Sequence, residues 1–476
     1  MRRGHRPAWG ALSLGVCLAT GGLVVGTDRL VWANGAFPDS FGILVPPDRP
    51  DEITLSTNFG LITSEDGGKS WTWSCEQEVS SLASLYQLGP APLNRLYALS
   101  ERGLIHSDDL SCTWAVSGGT AQDARPTDFF PDPTDAMHLL VLAVPNSTEL
   151  AAAAVYQSTD GGRTVGPPLY HGALRGDLTG IESARADPRV IYLASYDTPG
   201  PQPQMLKSTD RGATWSGPVN LESSIGQNTF RIIAIDPVDA QKIFLLVTEP
   251  QSQALAISFD GGATFTTPVR FGVALTAFAR LASGVILVAG LESDAQGNPV
   301  GSGFRSSDGG RTFTPWSVPQ LRALVEREGK LYGAADNFVD GFALGVSTDE
   351  GMTFRPMMKF GDVSSIRRCL QQVCADTCHR LAMTNIWPDR TCQPPAAASG
   401  ASGCAVGGES AIPLSLPSVA AAALVWSDRR RRASRGGACG GDPKNLGLSS
   451  PGRAMSKAIS FMCSPHGQPR REGKRP

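Results

Sequence analysis

The chain has 476 residues, 41% of them hydrophobic and 18% charged, and its formal net charge is only −2. That total hides a split: residues 1–35 carry +3 and residues 429–476 carry +10, which leaves −15 on residues 36–428. An acidic body excludes nucleic acid and anionic lipid headgroups as its partners, because phosphate binding needs clustered Lys and Arg.

The N-terminus comes first. Arg2, Arg3 and Arg6 precede an apolar run from Ala8 to Val25, and Val31-Trp32-Ala33 offers a small-residue cleavage site. Residues 1–33 therefore read as a signal peptide for the general secretory route, which places the protein outside the cytoplasm.

From there to residue 360 the chain is organised by one recurring phrase, Ser-x-Asp-x-Gly-x-Thr-Trp/Phe. Its copies centre on Asp66, Asp108 (Ser107 to Trp114, shifted by one), Asp160, Asp210, Asp260, Asp308 and Asp349, at intervals of 41 to 52 residues. That period suits one four-stranded propeller blade and is too long for a helical solenoid. Each slot has a reason. In Ala256-Ile257-Ser258 a strand leads in; Asp260-Gly261-Gly262 supplies an acceptor for turn N–H groups and glycines able to take positive φ; Thr264-Phe265 opens the outgoing strand. The seven aspartates are expected on one rim of a ring, with the aromatic of each copy buried.

A second signature keeps the same period. Asp132-Pro133-Thr134-Asp135, Asp187-Pro188-Arg189 and Asp236-Pro237-Val238-Asp239 each read as a turn running into a strand. The first blade parses as Gly42 to Val45, Ile53 to Ser56, Gly60 to Ser64 and Ser70 to Ser74; the last ends near Pro356. Val363 to Ile366 is expected to add a strand to the first blade. The expectation is an all-β chain with a seven-bladed propeller over residues 37–366, a Cys-rich module over 367–393, a linker over 394–403, a sorting segment over 404–432 and a disordered basic tail over 433–476.

Six cysteines, Cys75, Cys112, Cys369, Cys374, Cys378 and Cys392, fall in the exported part, where an even number points to disulfides. Adjacent blades suggest Cys75 with Cys112, and the other four pairing among themselves in one of three ways. Zinc is the rival, with His379 beside Cys378, but C-x(4)-C-x(3)-C-x(13)-C lacks the usual knuckles. No metal, phosphate or other cofactor is expected: the histidines are scattered, and the stretch from Glu292 to Asn298 lacks the alternating acids of a calcium loop.

The recurring phrase resembles the Asp-box, or BNR, repeat of β-propellers. That resemblance implies a fold shared by sialidases, xyloglucan-degrading endoglucanases, sortilin-type receptors and photosystem assembly factors, so it leaves function open. A sialidase would need an early Phe/Tyr-Arg-Ile-Pro motif; Phe230-Arg231-Ile232-Ile233 lacks the proline and lies four blades late. An endoglucanase would need two carboxylates facing each other across a groove. Asp177, Glu182, Asp197, Asp294, Asp336 and Asp340 are read as loop carboxylates, none in a distinguishing phrase. The loops Asp197 to Gln204 and Glu292 to Ser302 are the better candidates for ligand contact.

The end of the chain resembles a myxobacterial C-terminal sorting signal: Cys404 in the Gly-rich stretch Gly403 to Gly408, an apolar segment from Ala411 to Trp426, then Arg429 to Arg432. The resemblance implies transient membrane association, processing near Cys404 by export and sorting machinery, and display at the cell surface. The reading that results is a non-catalytic binding or scaffold module for an extracellular glycan or protein. The alternative is a glycoside hydrolase acting on extracellular glycans.

Overall fold

The computed structural model describes residues 38–394 apart from 76–85, 101, 121–123, 146–151, 173–175 and 198–201. The expected signal peptide, the expected linker beyond Pro394, Cys404 with the expected sorting segment, and the expected basic tail lie outside them. The described chain is all-β and forms seven consecutive four-stranded antiparallel sheets, the blades of a propeller. The first strands of neighbouring blades touch around the axis, and Leu321–Arg327 of blade seven comes back against Ser40–Leu44 of blade one.

Blades stack face to face, so the middle strands are buried on both sides. In blade one Ile53–Thr57 and Gly60–Ser64 are buried at every position. This is why the second strands read as unbroken apolar runs such as Leu139-Leu140-Val141-Leu142-Ala143, without the alternation of a half-exposed strand. The core lies between blades: Tyr97 and Leu104 of blade two pack with Phe129, Leu139 and Val141 of blade three.

The recurring phrase forms the hairpin between third and fourth strands in every blade. In blade five Ser258 Oγ donates to Asp260 Oδ1 (2.8 Å) and accepts from Gly262 N (2.9 Å), while Asp260 accepts from Thr264 N (2.9 Å) and Thr264 Oγ1 (2.6 Å). Blade two requires a correction. Its turn aspartate is Asp109, which accepts from Ser107 Oγ, Thr113 N and Thr113 Oγ1. Asp108 instead holds the buried guanidinium of Arg95, Nε to Oδ1 at 2.6 Å and Nη2 to Oδ2 at 2.8 Å. The register that counts is the distance from Ser107, and that puts Ser111, at φ 74°, in the slot where other copies have glycine. Cys112 therefore takes the variable slot after it. The aromatic slot is also less uniform than expected: Trp71 and Phe265 are buried, Val165 takes the place in blade three, and Trp114, Trp215, Phe313 and Phe354 are only half-buried.

The Asp-Pro signatures are the turns between first and second strands, where Asp132 and Asp236 are buried. These turns meet the recurring hairpins at the same end of each blade, as where Gly161 N donates to Met137 O and Gly261 N to Gln241 O.

The ring is closed from blade seven to blade one. Buried Arg327 sends Nη1 to the carbonyls of Glu52 (2.7 Å), Arg49 (3.2 Å) and Pro46 (3.3 Å), and Nη2 to Pro50 O (2.5 Å). Val363–Ile366 then pairs in parallel with Trp71–Ser74, making blade one five-stranded, and the chain continues into the helix Gln371–Met383. The disulfides correct the expected pairing: Cys75 joins Cys374, Cys112 joins Cys369, and only Cys378–Cys392 lies within the module. The reason is the path of the returning chain. Running beside the outer strand of blade one, it carries Cys369 and Cys374 past both cysteines of the first two blades. All six sulfurs are thus oxidised, and Cys392, though near His379 and Asp389, has no thiolate to offer a metal.

Candidate ligand site at the mouth of the ring

The end of the ring opposite the recurring hairpins is built from the starts of the first strands. Among the described residues, six of these strands carry a β-bulge at the same level, where one extra residue faces a continuous partner strand: Phe41, Thr127, Thr179, Ile233, Thr276 and Arg322. Bulges re-aim side chains and recur beside functional sites. Here the residues just before them, Ser40, Pro126, Leu178, Ile232, Leu275 and Leu321, are buried, whereas the extra residues all reach solvent at least in part.

Three of these extra residues, Phe41, Thr276 and Arg322, line a cavity of about 420 Å³ together with Asp39 and Leu291. It lies where blades six, seven and one meet. Phe41 is 42% exposed. Arg322 is fixed on two sides, Nε donating to Asp39 Oδ2 (2.8 Å) and Nη2 to Asp336 Oδ2 (3.3 Å). Asp39 Oδ1 accepts from Ser40 N, and Asp336 Oδ1 from Phe338 N and Val339 N. Asp340 closes the group by accepting from Gln320 N at 3.0 Å. Burial pushes the Asp39 carboxyl above its ordinary range, against the charge of Arg322, and pushes Asp340 up as well.

Further round the ring the first strands are stitched to their neighbours. Gln87 Nε2 donates to Phe129 O (2.7 Å), Asp128 Oδ2 accepts from Ile181 N (3.3 Å), Thr179 Oγ1 donates to Phe230 O (3.2 Å), and Thr276 Oγ1 donates to Leu321 O (2.5 Å). Glu182 accepts from the backbone of Ile235. Burial raises Asp128 to about 6, and burial together with the nearby charge of Asp128 raises Glu182 to about 8.

The candidates read from the sequence separate in the structure. Asp336 and Asp340 belong to the mouth. Glu182 is on a first strand, Gly176–Ala184, and not in a loop. Asp177 and Asp197 also lie in strands, but their side chains are outside the described residues. The stretch Glu292 to Ser302 is mostly hairpin strand, and Asp294 accepts from Gln296 N, Asn298 N and Asn298 Nδ2 within its turn. The seven hairpin aspartates sit at the far end of the blades. Sequence reasoning missed Phe41, Thr276, Arg322 and Asp39, because the bulge recurs while the residue type filling it does not.

The sequence matches no protein-family model, and no curated protein matches it. Among solved structures, YCF48 from Cyanidioschyzon merolae is similar with 13% identity and a TM-score of 0.41, over 62% of this chain and 92% of that one. The GH74 enzyme of Niastella koreensis is similar with 14% identity and a TM-score of 0.26, over 66% and 69%. The Hadza microbial sialidase Hz136 is similar with 14% identity and a TM-score of 0.36, over 60% and 71%. These likenesses concern the fold alone.

Proposed function

We propose that this chain is an exported Asp-box propeller that binds an extracellular glycan or protein at the mouth of its ring without transforming it. The observation that carries the reading is the state of the carboxylates there. A glycosidase keeps two carboxyl groups free to face a substrate from opposite sides. At this mouth Asp39 and Asp336 share one guanidinium, and Asp340 is engaged by a backbone donor. A fixed polar edge beside an exposed aromatic suits recognition better than proton transfer.

One observation favours the hydrolase alternative. Glu182, held protonated near neutral pH beside Asp128, has the ionisation of a general acid. Against it stands the use of both carboxylates as acceptors for the next blade. The two readings part in one experiment: the full chain is incubated with cell-envelope polysaccharides, with both retention and release of reducing ends measured. Retention without release is expected; release that disappears in Glu182→Gln would overturn the binding reading.

Export by residues 1–33 and surface display through Cys404 belong to the same proposal, resting on the sequence features already given. Display requires that Cys404→Ser leave the protein unprocessed or released. Blots of surface, membrane and medium fractions against the propeller and against residues 440–476 check it, and both epitopes on one displayed chain would rule it out.

A further inference from the structure

We infer that the cavity formed by Phe41, Thr276, Leu291, Asp39 and Arg322 takes a single uncharged sugar unit of a larger glycan. This rests on the binding reading above and gives it a ligand class. The cavity, about 420 Å³, lies within the range of small-molecule sites and is broadly open to solvent. Its two walls differ in kind. One is apolar, the exposed ring of Phe41 with Leu291. The other is polar and rigid, because the Asp39–Arg322–Asp336 chain fixes its groups before any ligand arrives.

A pyranose has the matching construction, C–H groups on its face and hydroxyls round its edge. The C–H face packs on an aromatic ring. A sugar hydroxyl can donate to the Asp39 carboxylate or to Thr276 Oγ1, whose own proton goes to Leu321 O, so the wall supplies acceptors for the hydroxyls of the ring edge.

Charge decides against the other small ligands. Arg322 alone would invite a carboxylate or phosphate, but Asp39, Asp336 and Asp340 surround it and leave the local balance negative. A cation would have to displace that same guanidinium from its partners. A neutral, hydroxyl-rich group meets neither cost. Preorganisation limits the ordering entropy to that of the sugar.

The test uses the full chain and calorimetric titration with neutral gluco- and manno-oligosaccharides, and with an oligogalacturonate of equal length. At least one neutral series is expected to bind, and the acidic one to bind at least tenfold more weakly. Phe41→Ala should reduce affinity at least tenfold, and Thr276→Val several-fold, with melting temperatures within a few degrees of the parent. Asp260→Asn, at the far end of the blades, should leave affinity unchanged and controls for general damage. Preferential binding of the oligogalacturonate, or affinity indifferent to Phe41→Ala, overturns the sugar inference. Retention of a protein partner in a manner sensitive to Phe41→Ala, with no oligosaccharide bound, overturns it too and leaves the binding reading standing. Cleavage of the titrated oligosaccharide would instead remove the binding reading itself.

Discussion

At the hairpins between third and fourth strands, the turn aspartates are exposed or partly so, and each accepts from a serine hydroxyl, a backbone N–H and a second hydroxyl, as Asp349 does from Ser347, Thr353 N and Thr353 Oγ1. On or just before the first strands, Asp39, Asp128 and Glu182 are partly buried and have fewer donors. The ionisation follows that difference. The hydroxyl of Thr353 and its companions hold Asp349 at about 2, while burial carries Asp128 to about 6 and Glu182 to about 8. Donors arranged around the charged form stabilise it, and loss of water without enough donors does the reverse. The repeated carboxylates are therefore held ionised by the turn they complete, and the unrepeated ones are held by contacts between blades with their ionisation shifted upward where donors are few.

The sharpest way to break this contrast is Arg322→Leu, which leaves Asp39 and Asp336 partly buried without their cation. The expected loss is about 3 kcal/mol in chemical denaturation, as for a broken buried pair; a loss below ~1 kcal/mol would mean the mouth is not held as described. Blade two offers an internal comparison. Asp108→Ala strips buried Arg95 of its carboxylate and should cost about 2 kcal/mol. Asp109→Ala removes only the turn acceptor and should cost about 1 kcal/mol. The reverse order would restore Asp108 to the turn.

Ser258→Ala should cost about 1–2 kcal/mol, because it leaves the buried Gly262 N–H without an acceptor. Asp260→Ala should cost less, since water reaches its exposed donors.

The two sets of carboxylates also predict opposite limbs of the pH profile. Turn aspartates such as Asp160 and Asp349, held at about 2 against an ordinary 3.8, contribute stability above pH 3.8 that is lost as pH falls toward 2. Glu182, raised from 4.5 to about 8, contributes stability in its protonated form below pH 4.5, and this is lost as pH rises toward 8. Melting temperature should accordingly peak in mildly acidic solution. Glu182→Gln should flatten the alkaline limb and raise the melting temperature at about pH 8; an unchanged alkaline limb would contradict the assignment. Smallest of all, Phe41→Ala should change stability by less than about 0.5 kcal/mol, as expected of an exposed side chain outside the fold's hydrogen-bond framework.

The sequence by itself determined the number of blades, the hairpin that ends each third strand and the strand Val363–Ile366 that returns to blade one. Those features are local: a serine, an aspartate two residues on and a threonine four further on can complete a turn among themselves, so the spacing carries the structure. Only the tertiary structure decided the rest. Which cysteines pair depends on where the returning chain passes, since Cys75 and Cys374 are 299 residues apart in sequence and 5.6 Å apart between Cα atoms. The bulge layer was equally hidden, because a bulge is a mismatch between two strands and leaves no mark on either one alone. Glu182 could not be told from a solvated charge until the next blade was seen to cover it. Short-range hydrogen bonds can be read from residue spacing, whereas burial, pairing across blades and the convergence of three blades on one cavity exist only once the ring has closed.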